Sequence, residues 1–478
     1  MLENLSFYLV MVLAIVLLIM VAKRIKVAYP ILLVIGGLLI SFIPGTPKIH
    51  IEPELIFFIF LPPLLYEAAW ATSWKELWRW RRIVFSFAFI VVFFTALIVA
   101  FVTNHFIPGF SLALGFLLGG IVSPPDAVSA GAILKFVKVP KRFSSILEGE
   151  SLLNDASSLI IFRFAMIAAA TGQFVWQEAT ISFLWMCIGG VGIGLLIGYI
   201  FYKMHKLLPT DANIDVVLML VAPFIMYLIA EEAHASGVLA VVSGGLYLSN
   251  RSHSFLGSSS RLQGVSVWES LCFLLNGIVF MMIGLDLPEI VEGLGDTSIS
   301  TAIGYGVLVT LVLVIVRIVA AFGAVIITLI MRNYITVADD RNPGWRGPLI
   351  LGWTGMRGVV SLAAALSIPL TLADGSPFPQ RNLILFITFV VILLTLVIQG
   401  LTLPYLIKKL KISDPDATRS EKEIDDEIKI ELAQIAVNKI NTDYNDKIAK
   451  YPFLKEQLAS WENRLKSTEI IFNLPEYK

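Results

Sequence analysis

Gly119-Gly120-Ile121-Val122-Ser123-Pro124-Pro125-Asp126 interrupts an apolar run near residues 110–134, and Gly352-Trp353-Thr354-Gly355-Met356-Arg357-Gly358 interrupts another near 347–372. Proline removes a backbone donor and clashes with the preceding turn. Glycine loosens a helix. Inside a bilayer such breaks survive only where the freed backbone is buried in protein or lines a cavity. The two interruptions decide the fold because of where they fall among the other apolar runs.

At 57% hydrophobic and 15% charged, the chain is too apolar for an ordinary soluble protein of its length. A spanning helix needs about 20 apolar residues. Thirteen segments qualify, near residues 5–22, 27–43, 54–71, 82–105, 110–134, 143–171, 179–203, 214–235, 237–250, 264–291, 299–331, 347–372 and 381–407. The interrupted segments are the fifth and the twelfth. Seven crossings separate them, and an odd offset makes them run in opposite directions. That is the geometry of an inverted-topology repeat, in which segments one to six match eight to thirteen and segment seven is the link. Paired interrupted helices of this kind mark a transporter's binding site. The competing reading is two unrelated kinks; the matched positions weigh against it. The expected fold class is an all-α polytopic membrane protein with about 13 transmembrane helices, two of them broken and crossing.

Orientation follows from the loop cations. With the N-terminus outside, the inner loops hold Lys23, Arg24 and Lys26, then Lys75, Arg79, Arg81 and Arg82, then Lys135, Lys138, Lys141 and Arg142. Lys203, Lys206, Arg251, Arg261, Arg332, Arg341, Arg346, Lys408 and Lys409 follow, while the outer loops hold only Lys48 and Arg381. Glu3 precedes the first apolar run and the cations follow it, the reverse of a signal peptide, so the first helix is read as retained. Cys187 and Cys272 both fall in apolar segments and indicate no disulfide framework. A net charge of zero suggests no nucleic-acid partner.

Past Leu410 the composition turns charged, which divides the chain into a membrane domain over 1–410 and a cytoplasmic tail over 411–478. Ser420 and Glu423 have capping-box spacing before an apolar stripe at Ile424, Ile428, Leu432 and Ile435. Beyond Pro452 a second stripe runs through Leu454, Leu458, Trp461 and Leu465. The tail is expected to form two amphipathic helices.

The chemistry concentrates in Glu148-Gly149-Glu150-Ser151-Leu152-Leu153-Asn154-Asp155 of segment six. A carboxylate in hydrocarbon costs several kcal/mol, so it is rarely there without a task. Glu150 and Asn154 are four residues apart, as are Ser151 and Asp155, which places each pair on one side of the helix. Oxygen ligands suit a small hard cation and a proton, and suit a soft metal poorly. Asp155 is the candidate carboxylate that alternately holds the two; the competing role is a structural ion pair. Asp126 follows the Pro-Pro break and is the candidate second carboxylate, or an N-cap for the helix beyond it. Ser151 offers a hydroxyl oxygen, or a bond back into its own helix. Asn154 is placed to bridge the two broken segments. Glu150 and Arg357 form a candidate intramembrane pair joining segments six and twelve. Arg163 and Arg317 are the other intramembrane cations, read as snorkelling or as neutralising half-helix ends. Glu67, after Leu61-Pro62-Pro63-Leu64-Leu65-Tyr66, is a third acid for the cavity or an interfacial residue. Glu231, Glu232 and His234 read as a solvated outer end, with a pH-sensing role as the alternative.

The stretches Leu61 to Ala68, Ser123 to Ala130, Glu148 to Ala156, Gly284 to Pro288 and Gly355 to Pro369 resemble those of the monovalent cation:proton antiporters. The similarity is to the NhaP-like and sodium/proton exchanger branch and covers most of residues 5–410. It implies a thirteen-helix homodimer in which a core, about 82–172 and 299–410, moves against a dimer domain, about 1–75 and 179–292. It further implies that Asp155 is the shared cation/proton carboxylate, with Asp126 and Ser151 as ligands, Glu67 nearby, and Glu150 with Arg357 as the family's structural pair. Ser123 is a further candidate ligand; many members have Thr-Asp-Pro where this chain has Ser123-Pro124-Pro125-Asp126, a departure that bears on what Ser123 contributes and on how Asp126 aligns with the family's acid. Two adjacent aspartates accompany charge-moving exchange in the family; Asn154-Asp155 implies one cation for one proton.

The reading that follows is a secondary sodium (or lithium)/proton antiporter of the cell membrane, with the C-terminus cytoplasmic. Sodium and protons are its substrates, and no cofactor and no enzymatic activity are expected. No Gly-Lys-Ser/Thr phosphate-binding motif is present. A potassium/proton exchanger of the same fold is the first alternative. A channel, an intramembrane aspartyl hydrolase using Asp126 and Asp155, and a sensor acting through the tail are more remote.

Overall fold

The computed structural model describes residues 5–25, 27, 29–43, 53–126, 130–131, 134, 139–172, 176–295, 297–332, 344–372, 375–410, 421–448 and 450–472. The chain divides into two compact units, Met1–Ile412 and Ser413–Lys478. The expected basic loop residues Lys26, Lys48, Lys135, Lys138 and Arg341, and the capping residue Ser420, lie outside the described residues.

The first unit is helical. Without water to satisfy exposed backbone, a helix that closes its own hydrogen bonds is the economical way across hydrocarbon. Eight described helices are long and apolar enough to cross a membrane by length and composition, and Tyr29–Ser41, Phe57–Ala71 and Leu112–Val122 are shorter apolar helices. In chain order the unit begins with α1 (Leu5–Ile25), α2 (Tyr29–Ser41) and α3 (Pro53–Ala71). Next are α4 (Trp74–Phe85), a π-helical turn at Ser86–Val91, and α5 (Val92–Phe106). Then come α6 (Leu112–Val122), α7 (Lys141–Thr171), α8 (Trp176–Leu207), α9 (Ala212–Glu232), α10 (Gly237–Phe255), α11 (Ser258–Glu292) and α12 (Ile299–Met331). The unit closes with α13 (Arg346–Trp353), α14 (Val359–Leu366), α15 (Arg381–Leu394), a second π turn at Thr395–Gln399, and α16 (Gly400–Leu410). The expected apolar segments fall on these helices, the fourth and the thirteenth each running through a π turn, and the fifth extends into residues outside the described ones.

Both expected breaks are present. Helix α6 stops at Val122, residues 123–126 are non-helical, and helical backbone returns at Ala130, Gly131 and Leu134. The remainder of that second half, 127–129, 132–133 and 135–138, lies outside the described residues. Residues 354–358 separate α13 from α14. The backbone N–H of Asp126 donates to the carbonyl of Met356 at 2.7 Å, so the two breaks meet directly.

Small residues set how closely the helices approach. A Cβ on Gly37 of α2 would run into the Met281 carbonyl of α11, and one on Gly284 would run into the Val34 carbonyl. On α6, Gly119 faces the Ala96 backbone of α5 and Gly120 faces the Phe162 backbone of α7. The helix ahead of the first break is thereby clamped between two neighbours.

The second unit contains α17 (Glu421–Asp443), the short α18 (Asn445–Ile448) and α19 (Pro452–Phe472). Leu454, Leu458, Trp461 and Leu465 are half-buried, as their stripe predicts. The stripe expected to pack from α17 does not: Ile424, Ile428, Leu432 and Ile435 are exposed. The covered side of α17 is Ala433, with Ala436, Val437 and Ile440 half-buried. The small Ala433 at the centre of that face allows a close approach of the neighbouring helix.

Candidate functional site

The site is assembled where the two breaks meet α7. Arg357 leaves the second break and is 1% exposed. Its Nε donates to the Val122 carbonyl at 2.7 Å, one terminal nitrogen donates to the Ser123 carbonyl at 3.3 Å, and the other donates to Gly355 O. Its own backbone N–H donates to Thr395 Oγ1 at 3.2 Å, in the second π turn. Val122 and Ser123 are the last carbonyls of α6, which carry the negative end of the helix dipole and lack partners of their own. One guanidinium thus satisfies carbonyls that the breaks release and ties the two segments together.

Glu150 does not pair with Arg357, contrary to the sequence expectation. It takes Arg317 of α12 instead, in a two-pronged ion pair at 2.6 and 2.9 Å. Both side chains are buried. The planar fork of an arginine matches the two oxygens of a carboxylate. Arg357 is committed to carbonyls created by chain breaks, which residue spacing does not reveal. Arg317 neither snorkels nor neutralises a helix end. The sequence did contain a signal for its role: a cation midway along a 33-residue apolar helix needs an acid at the same depth. Arg163 also has a partner, Glu231 of α9, at 3.3 Å; Glu231 further accepts from the Gly237 N–H at 3.1 Å. That acid is part of a contact between helices, where a solvated end was expected.

Asp155 and Asn154 lie on α7 beside the first break. Asn154 is fully buried, and its Nδ2 donates to the Pro125 carbonyl at 3.2 Å. It therefore reaches one of the two broken segments, where a bridge to both was expected. Ser157 donates to Asn154 O at 2.9 Å and to Ala88 O in the first π turn, and Ser158 donates to Asp155 O at 3.1 Å. These bonds fix the α7 backbone at the height of the acid. Asp155 is buried, and Asp126 lies within electrostatic reach of it. Asp126 is half-buried, and its carboxylate occupies the space a Cβ on Gly358 would need. Gly358 therefore lets the second break approach that carboxylate.

Two buried polar atoms here have no protein partner among the described residues: Ser123 Oγ and Asn154 Oδ1. A buried oxygen left without a partner costs about 1–3 kcal/mol. Both orphans belong to residues at the first break or directly beside Asp155. Ser151 is half-buried one turn before Asp155, and Glu67 of α3 is half-buried. Tyr29 of α2 lies within electrostatic reach of both Asp126 and Glu67, which places Glu67 on the same side of the assembly. Thr395 was not anticipated, because a lone threonine in an apolar run carries no distinguishing pattern.

The donor types here are carboxylate, hydroxyl, carboxamide and carbonyl oxygen, which suit a hard cation and suit a soft metal poorly. Two carboxylates close together in a low-dielectric setting repel strongly. A cation between them, or a proton on one, removes that repulsion.

A sequence profile described as "Sodium/hydrogen exchanger, transmembrane" matches residues 10–409. A Bacillus subtilis protein called a "Sodium, potassium, lithium and rubidium/H(+) antiporter" is 36% identical over 389 residues, 79% of this chain and 57% of that protein. The chain thus spans little more than half the length of that relative. The "Na(+)/H(+) antiporter ApNhaP" of Aphanothece halophytica is 36% identical over 399 residues, covering 82% of this chain and 72% of the relative. Among solved structures, the sodium proton antiporter MjNhaP1 from Methanocaldococcus jannaschii superposes with a TM-score of 0.68 at 20% identity, covering 86% of this chain and 99% of that one.

Proposed function

The chain belongs to the sodium/hydrogen exchanger family, and from that premise we propose that it exchanges sodium or lithium for protons across the cell membrane as a secondary antiporter. One observation carries the reading: buried Asp155 lies within electrostatic reach of Asp126, which sits where the two breaks meet, and the oxygens of Ser123 and Asn154 beside them have no protein partner among the described residues. Na+ or Li+ binds at Asp155, Asp126 and Ser151, with Ser123 completing the shell. A proton on Asp155 empties the site. Alternation of the two states gives antiport when the pocket opens to one side at a time.

The moving part is the core, about 82–172 and 299–410, against a dimer domain of about 1–75 and 179–292. The core holds both breaks, the Glu150–Arg317 pair and the Arg357 staple, so it carries the site as one body. The functional unit is a homodimer. Cations at Lys75, Arg79, Arg81, Arg82, Lys203, Lys206, Lys408 and Lys409 support inner placement of those loops, an outer N-terminus and a cytoplasmic tail.

The test is sodium-dependent proton flux in proteoliposomes. Asp155→Asn is expected to reduce it to background while the protein still elutes as a folded species. A folded variant with normal exchange would end the assignment. A second reading, exchange of potassium as well, is favoured by the breadth of cations in the name of the Bacillus subtilis relative. Flux measured with sodium, lithium and potassium in turn separates the two.

A further inference from the structure

Helix α4, Trp-Lys-Glu-Leu-Trp-Arg-Trp-Arg-Arg-Ile-Val-Phe, presents three distinct faces. Leu77, Trp80 and Val84 are buried. Leu77 and Val84 press on Gly149 of α7, next to Glu150 and within two turns of Asp155. On the opposite side, Lys75, Arg79 and Arg82 recur at four- and three-residue spacing and form one exposed stripe. Beside it runs a second exposed stripe, Trp74, Trp78, Arg81 and Phe85. Trp74 stacks on Trp78 with ring centroids 5.9 Å apart, and the Arg81 guanidinium lies 4.7 Å from the Trp78 ring. Arg81 also donates to the Trp78 carbonyl at 2.6 Å. The acid of this turn, Glu76, is turned aside to accept from Trp80 Nε1 at 3.2 Å.

The surroundings decide what such a surface meets. Below Arg82 the exposed residues become wholly apolar: Phe85, Ile90, Phe93 and Phe94. That ribbon has the character of a lipid-facing surface, and it ends at the level of Arg81 and Arg82. Tryptophan at 42% and 58% exposure, for Trp74 and Trp78, suits the boundary between acyl chains and headgroups. Basic residues at this level of a membrane protein are attracted to the anionic headgroups of the leaflet. Stacking on Trp78 restrains Arg81 in an orientation that can face a phosphate.

We propose that α4 is a headgroup site for an anionic phospholipid, in which Lys75, Arg79, Arg81 and Arg82 hold the phosphate level and Trp74 and Trp78 seat the glycerol region. Through Leu77, Val84 and Gly149 the bound lipid is coupled to the helix that carries Glu150 and Asp155. Placement in the inner leaflet follows the proposed topology; the binding itself does not depend on antiport.

The experiment uses the full chain in neutral detergent, titrated with phosphatidylglycerol or phosphatidylcholine. Bound lipid is counted by native mass spectrometry, and melting is followed in parallel. Wild type is expected to bind phosphatidylglycerol in preference and to melt higher when it does. Lys75→Gln and Arg82→Gln are each expected to weaken binding about fivefold, the value of one basic residue at an anionic surface. Trp78→Ala is expected to reduce preference while leaving net charge unchanged. A control pair in the tail, Lys450→Gln with Lys455→Gln, is expected to bind as wild type does. Equal binding by wild type and Arg82→Gln would overturn the site. So would an equal loss in the tail control, which would show charge without a site. Displacement by millimolar inorganic phosphate would reassign it to a free anion, and displacement by polyglutamate to an acidic polypeptide. Both readouts are independent of ion flux, so a failure of the antiport reading would leave this one standing.

Discussion

Removing Glu150 would leave the Arg317 guanidinium bare at a place where water does not reach it. Breaking a buried pair from one side costs about 3–5 kcal/mol, whereas replacing both partners by neutral groups is often tolerated. Glu150→Gln and Arg317→Met are each expected to lower the melting temperature sharply, and the double variant is expected to recover most of the loss. Strictly additive losses would show that the two side chains act separately. Ser123 is expected to behave differently, because its Oγ has no protein partner to lose among the described residues. Ser123→Ala is expected to leave melting unchanged and to raise KM for sodium about tenfold, the equivalent of roughly 1.4 kcal/mol of ligand contact. A lower melting temperature with unchanged KM would make Ser123 structural. At this scale the sequence was informative about identity and silent about pairing. Asp155, Asp126 and Asn154 stand out because polar groups in apolar runs are rare. Which arginine meets Glu150 depends on which helices are neighbours, and no residue spacing encodes that.

The broken segments are the elements that carry the chemistry, and their breaks were legible. Pro124-Pro125 and the glycines of 352–358 leave few helical alternatives. The meeting of the breaks demands close approach, which Gly358 permits. Gly358→Ala would drive a methyl into the Asp126 carboxylate, while Gly304 faces open space. Gly358→Ala is therefore expected to abolish exchange in a protein that still assembles, and Gly304→Ala to exchange as wild type does; equal flux from both would disprove the crowding. The π turns had no comparable signal. Ser86–Val91 contains neither proline nor glycine, and its widened backbone coincides with a hydroxyl from another helix, Ser157, bonding to Ala88 O. Likewise in the second unit, α17 offers two apolar faces, and periodicity alone selected the bulkier one. The outcome depended on how near α19 could come, a property of two helices together.

If the chain exchanges ions as proposed, the fixed charges around Asp155 determine what one cycle moves. Glu150 and Arg317 neutralise each other, and Arg357 is held by carbonyls of Val122, Ser123 and Gly355. Neither arrangement has a reason to change as the site fills or empties. Asn154 is neutral in both states and is tied to Pro125. On the proposed reading the exchangeable charge is that of Asp155, compensated by one alkali ion in one direction and by one proton in the other. On the proposed exchange the loaded site carries the same charge either way, and no net charge is expected to cross per cycle. In proteoliposomes containing potassium, valinomycin clamps the membrane potential. Sodium-driven proton flux is expected to run at the same rate with and without that clamp, and to generate no potential of its own. Acceleration by valinomycin would mean that a second charge moves with the core, and Asp126 would be the group to neutralise next.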